Sequence, residues 1–271
     1  MFAERGKDGE QSLDEEEQIL YSLFRYFSKC LIKIDKRCVS TMNPSTDLKQ
    51  LQDHHIRLSQ LMSPLYLLIP LVFWAFFNYQ GVGVTVKPVL LGAAGWIIAL
   101  ALRGPVSLLA ARMPAEKGRL LLVSSSGPLE ELVRLVTLLI AGLTIGSAAS
   151  IGIGWAAIEI VYTLVSLFAV ASLSKRTDEK AMQAKAMLEA QGTYGAHPAW
   201  GLIERVFVSA YHIGAALCIA RYPWSVAVLI PLHSLLNLAV LAVAKRSLAQ
   251  AEAVAAFVGT TVLAIGWQLY L

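Results

Sequence analysis

Apolar residues along the chain come in blocks of about twenty, separated by short polar stretches. A block of that length crosses a hydrocarbon core of ~30 Å as a helix. The blocks predict seven spans, near residues 62–80, 87–111, 119–143, 150–173, 199–220, 224–244 and 250–271. The fold class expected is therefore all-α, a polytopic bundle of about seven transmembrane helices spanning residues 62–271. Residues 1–61 form a polar N-terminal extension. Within it, Ser12 and Glu15 have capping-box spacing. Ile19, Leu20, Leu23, Phe24, Phe27, Leu31 and Ile34 then follow a helical period. With Arg25, Lys29, Lys33, Lys36 and Arg37 among them, this predicts an amphipathic surface helix or a loosely ordered segment.

Composition agrees. The 271 residues are 56% hydrophobic and 15% charged, with mean hydropathy +0.58, against about 25% charged in a soluble domain. Three cysteines, Cys30, Cys38 and Cys218, show no CxxC spacing, which points away from a disulfide framework or a thiolate zinc site. No secretory signal is expected, since the first apolar block begins only near Met62. The net charge of +4 matters less than its placement. Nine basic residues fall in or beside even-numbered loops: Arg112, Lys117 and Arg119, then Lys175, Arg176, Lys180 and Lys185, then Lys245 and Arg246. Only Lys87 and Arg221 fall on the other side. The positive-inside rule then predicts a multi-pass protein with a cytoplasmic N-terminus and an outward C-terminus. Membrane lipid is the implied surrounding, and no nucleic-acid partner is expected.

The chemistry lies in the polar residues inside these blocks. Span two carries Arg103, span three Glu130, Glu131 and Arg134, and span four Glu159. Span five carries Glu204, Arg205 and His212, and span six His233 and Asn237. Charges at membrane depth are costly and usually face a cavity and a partner. At ~1.5 Å per residue, Glu130 lies ~16 Å and His212 ~20 Å from the cytoplasmic face, and His233 ~17 Å. A carboxylate and two imidazoles thus share one level. Glu130 and Arg134 are spaced i,i+4, as are His233 and Asn237, and Glu131 reaches Arg134 at i,i+3.

Such a set suits hydrolysis. A carboxylate takes a proton from water, imidazoles bind a metal or stabilise charge, and an amide donates to an oxyanion. Each residue also has a structural reading. Glu131–Arg134 fixes helix packing, a histidine serves as a hydrogen-bonded core residue, and Arg103 and Glu204 snorkel from near the helix ends. His54, His55 and His197 are read as incidental, and Gly152 and Gly154 as packing residues.

The run "EELVR" from Glu130 to Arg134 and "HSLLN" from His233 to Asn237 resemble the EExxR and HxxxN motifs of the type II CAAX prenyl endopeptidase and bacteriocin-processing superfamily. The order "LRGP", "GPLEELVRL", "GIGWAAIE", "ERVFVSAYHIG", "PLHSLLN" is more closely similar to the YhfC-type intramembrane metalloproteases, over about residues 62–271. The superfamily is also distantly similar to the Aph scaffold subunit of gamma-secretase. The resemblance implies an intramembrane endopeptidase acting on a peptide or lipidated protein substrate. Glu130 would be the water-activating base, supported by Glu131 and Arg134. His212 and His233, with Glu130, would hold a metal, zinc being the candidate, or the two imidazoles would stabilise the oxyanion with Asn237. Glu159, Glu204, Arg205 and Arg103 would support the site. Two positions depart from the pattern. Trp155 stands where the YhfC type carries a histidine, and Val208 stands four before His212 in place of phenylalanine. The alternatives are a catalytically degenerate scaffold that binds a partner membrane protein through the same polar cavity, and a small transporter. The absence of an internal repeat argues against the transporter.

Overall fold

The computed structural model describes residues 46–174, 176–179, 181–182 and 197–271. The amphipathic segment expected before residue 46, and most of the 174–198 loop, lie outside the described residues. The chain divides into units 1–48 and 49–271, and the described residues fall almost wholly in the second.

Every regular element among the described residues is helical: α1 Thr46–Tyr79, α2 Val86–Ala110, α3 Ala115–Ser124, α4 Ser126–Ala141, α5 Ile145–Ser174, α6 Pro198–Arg221, α7 Val226–Ala244 and α8 Leu248–Gln268. A 3₁₀ turn, Pro223–Ser225, precedes α7. Six helices are long and apolar enough to cross a membrane: α1, α2, α5, α6, α7 and α8. The protein is an integral membrane helical bundle.

Local chemistry sets the ends. Gly81, at φ +77°, turns the chain out of α1, and the Asn78 side chain closes that turn by accepting the Val84 N–H. His197 caps α6, its Nδ1 accepting the Ala199 N–H, with Pro198 at the first helical position. Ser247 caps α8 by accepting the Gln250 N–H.

The spans differ from the sequence expectation in two places. Helix α1 begins at Thr46 rather than near Met62, because the polar residues ahead of the apolar block continue the same helix. The third span is two helices rather than one. Ser124, Ser125 and Ser126 each donate their hydroxyl to a carbonyl three residues back. Pro128 then offers no N–H to the Ser124 carbonyl, and Ser234 of α7 fills that place with a hydroxyl donated over 2.7 Å. Both α3 and α4 pack on α2 and α7.

The bundle is built around α6. Of its most apolar stretch 61% is buried, against 17–28% in the other long helices. It packs on α5, α8 and α4, while α2 packs on α5 and α4. Gly152 and Gly154 let α5 slide between its neighbours. A Cβ on Gly154 would stand 1.9 Å from the Val89 carbonyl oxygen of α2, and one on Gly152 2.5 Å from the Ile213 Cα of α6. Helix α1 joins through Tyr66 and Ile69 against Ile160, and through Phe77 against Trp267.

Candidate functional site

Five helices send polar side chains into one region: Arg103 from α2, Glu130, Glu131 and Arg134 from α4, Glu159 from α5, Glu204, Arg205 and His212 from α6, and His233 and Asn237 from α7. A cavity of about 380 Å³ lies among them, lined by all of these except Glu131 and Arg134. Its rim is marked by Arg103 and Glu204, whose side chains are 32% and 34% exposed. Glu131 and Arg134 do not line it and are 0% exposed.

Glu130 and Glu131 divide the work that their adjacency invites. Adjacent helical residues point ~100° apart. Glu130 faces the cavity, pairs with Arg103 of α2, and accepts the Trp155 indole N–H at 3.3 Å. Glu131 faces inward. Its Oε1 lies 2.7 Å from His233 Nδ1, and its Oε2 3.5 Å from Arg134. Arg134 thus pairs with Glu131 at i,i+3 and not with Glu130 at i,i+4. The Arg103 partner was not legible, because it sits 27 residues away on another helix.

The two imidazoles differ in what they leave free. His233 gives Nδ1 to the Glu131 carboxylate, which can only accept, so that nitrogen carries the proton. Its Nε2 lies 3.9 Å from Glu130 Oε2. His212 gives up both nitrogens. Arg134 reaches its Nδ1 over 2.8 Å and its backbone oxygen over 3.2 Å. An arginine only donates, so Nδ1 bears the lone pair and Nε2 the proton. Nε2 lies 2.6 Å from Glu159 Oε2, off the hydrogen-bonding direction, since that oxygen has no hydrogen-bond partner. The two rings are 5.8 Å apart at their centroids. Glu159 in turn pairs with Arg205, and Arg205 with Glu204, each at 2.6 Å. A chain of charge therefore runs from Glu131 through Arg134, His212, Glu159 and Arg205 to Glu204.

The metal set expected from the sequence is His212 and His233 with Glu130. Catalytic zinc takes three protein ligands. His212 has no lone pair to spare, and no group of three ligating side chains forms among the described residues. His233 Nε2 and the carboxylates of Glu130 and Glu159 face the cavity. Trp155 stands beside Glu130 and brings an N–H donor, with its ring 4.5 Å from the Arg134 guanidinium carbon.

Three contacts were missed by sequence reasoning. Asn237 donates to the Ser126 hydroxyl over 2.7 Å, which fixes the orientation of its amide. Gly127 makes room for α7, because a Cβ there would stand 2.3 Å from both the Ile230 carbonyl oxygen and Ser234 Oγ. Tyr211 packs on the His233 ring at 5.0 Å. The serine run before Gly127-Pro128 was the available signal, since it marks a helix junction. Outside the site, His55 lies 5.3 Å from His197 and 6.1 Å from His54, ring to ring.

Comparisons with family models, with curated proteins and with solved structures give no match to this chain.

Proposed function

We propose that the protein is an intramembrane endopeptidase that uses Glu130 as its general base. The observation that supports this most is a cavity-facing carboxylate, Glu130, 3.9 Å from an imidazole nitrogen whose ring is oriented by a second, buried carboxylate. A water about 2.8 Å from both Glu130 Oε2 and His233 Nε2 makes a good triangle with that separation. It donates one hydrogen to each acceptor and turns a lone pair outward. As that oxygen attacks a scissile carbonyl, Glu130 takes the proton, then returns it to the departing amine. Asn237 spends one N–H on Ser126 and keeps the other for the oxyanion. No step passes through a metal.

The substrate class is a membrane-anchored or lipidated peptide, because the site sits within the bundle beneath a rim of opposed charges. We place the 174–198 loop on the cytoplasmic side from its basic residues. A single cysteine introduced at Thr177 is expected to be labelled only from that side. Labelling from outside would reverse the orientation.

A second reading rests on a specific observation, the engagement of both His212 nitrogens, with Arg134 reaching its ring and its backbone oxygen. In that reading the network holds a scaffold, and the cavity receives a helix of a partner membrane protein. Hydrolysis in ¹⁸O-water separates the two. Full-length protein in liposomes with membrane-anchored peptides is expected to generate new carboxyl termini carrying ¹⁸O. The Glu130→Gln protein should yield them at least ~100-fold more slowly. No cleavage by the unaltered protein, or equal cleavage by the variant, would leave the scaffold.

A further inference from the structure

A second cavity, of about 560 Å³, opens between α3 and α7, away from the polar site. Its mouth carries Arg119 of α3 and Lys245 and Arg246 just past α7, with Glu116 beside them. All three cations are exposed. None takes part in an ion pair among the described residues, where the paired cations are Arg103, Arg134, Arg176 and Arg205, with the two site histidines. Deeper in, the walls are apolar. Helix α3 supplies Leu120 and Val123, and α7 supplies Leu238, Leu241 and Ala242. The α7 positions 238, 241, 242 and 245 follow an i, i+3, i+4, i+7 pattern, so one face of that helix grades from leucine to lysine.

Depth gives this grading a meaning. Arg119 is ~6 Å from the start of α3, and Lys245 and Arg246 follow the last turn of α7. Those are headgroup levels for helices that end at the membrane surface. Leu238 lies ~9 Å further in from the α7 end, at acyl level. Three cations against one carboxylate at headgroup height, above an apolar slot, match a ligand with a negative head and a hydrocarbon tail. Basic pockets between transmembrane helices bind anionic lipid headgroups on this basis. We propose that the α3–α7 groove is a binding site for one anionic phospholipid, with its phosphate on Arg119, Lys245 and Arg246 and an acyl chain along Leu120, Leu238 and Leu241.

The proposal does not depend on the hydrolytic reading. It is tested by native mass spectrometry of the full-length protein in detergent, offered dioleoyl phosphatidylglycerol or dioleoyl phosphatidylcholine. At about fivefold per cation, retention of phosphatidylglycerol is expected to exceed that of phosphatidylcholine by at least ~10-fold. Combined Arg119→Gln, Lys245→Gln and Arg246→Gln should bring the two lipids near parity. Ala242→Trp keeps the charges and fills the slot, and should abolish retention in a protein of unchanged helicity. Arg112→Gln with Lys117→Gln removes two exposed cations outside the groove, and should leave the preference intact. Equal retention of both lipids by the unaltered protein would overturn the proposal. So would undiminished retention by Ala242→Trp, or an equal loss in the Arg112/Lys117 control, which would mean diffuse surface charge. Displacement of the lipid by millimolar inorganic phosphate would mean a bare anion site, and would overturn it too.

Discussion

The α4–α7 side of the polar region and its α5–α6 side contain the same chemical groups in different pairings. On the α5–α6 side, Glu159 faces His212 and Arg205, Arg205 also holds Glu204, and His212 is engaged at both nitrogens. On the α4–α7 side, Glu131 holds His233 at Nδ1 only, so His233 Nε2 faces Glu130 at 3.9 Å, and Glu130 is itself held by Arg103 and Trp155. The difference teaches which half can react. An imidazole with both nitrogens committed, as in His212, holds helices together. An imidazole with one nitrogen left over and oriented from behind, as in His233, can hold a water for the neighbouring Glu130. Arg134 joins the halves, touching Glu131 on one side and His212 on the other.

The largest expected effect breaks that join. Arg134→Met removes a fully buried cation and leaves Glu131 and the His212 lone pair without it. Breaking a buried pair in this way costs about 3–5 kcal/mol, so the unfolding midpoint in detergent should collapse. An unchanged midpoint would show that the two halves stand independently. Glu131→Gln comes next. It keeps the shape but removes the charge facing Arg134 and His233, and should cost about 2–3 kcal/mol while slowing hydrolysis less than Glu130→Gln does. Gly127→Ala acts through distance. Its added Cβ would meet α7 backbone, and overpacking of this kind costs about 1–3 kcal/mol. It should push His233 from Glu130, and so lower hydrolysis more than its stability loss explains. Equal activity would mean that the 3.9 Å approach has no part in the reaction. The smallest expected effect is of metal removal. Exhaustive treatment with phenanthroline should leave the hydrolysis rate unchanged, because no group of three ligating side chains forms among the described residues. A rate abolished by chelator and restored by zinc would show that His212 leaves Arg134 in the working state.

Much of this architecture could be read from the chain. Six of the seven apolar blocks are helices long and apolar enough to cross a membrane, because hydrocarbon thickness imposes a length that composition reveals directly. The break at Ser125 was not read, although Pro128 and three consecutive serines carry its chemistry, since an apolar block can be one helix or two. The start of α1 at Thr46 was hidden because a helix that emerges from the membrane keeps its period while losing its hydropathy. In the site, depth alone placed Glu130, His212 and His233 at one level, and His233 does lie 3.9 Å from Glu130 and 5.8 Å, ring to ring, from His212. Partner choice was beyond depth. Whether Arg134 turns to Glu130 or Glu131 depends on rotamers, and the pairings of Arg103 with Glu130 and of Glu159 with His212 depend on which helices become neighbours. Residues such as Trp155 and Ser126 gave no charge signal; Trp155 enters through its N–H and its ring, and Ser126 through its hydroxyl.

The central claim is that Glu130 reacts while Glu131 holds the fold. The most direct measurement is the hydrolysis rate and the unfolding midpoint of Glu130→Gln, taken on one preparation. Arg103 is part-exposed and can turn to water when its partner is neutralised. The account therefore predicts a rate at least ~100-fold lower with a midpoint close to that of the unaltered protein. A retained rate, or a midpoint that falls as far as that of Glu131→Gln, would contradict it.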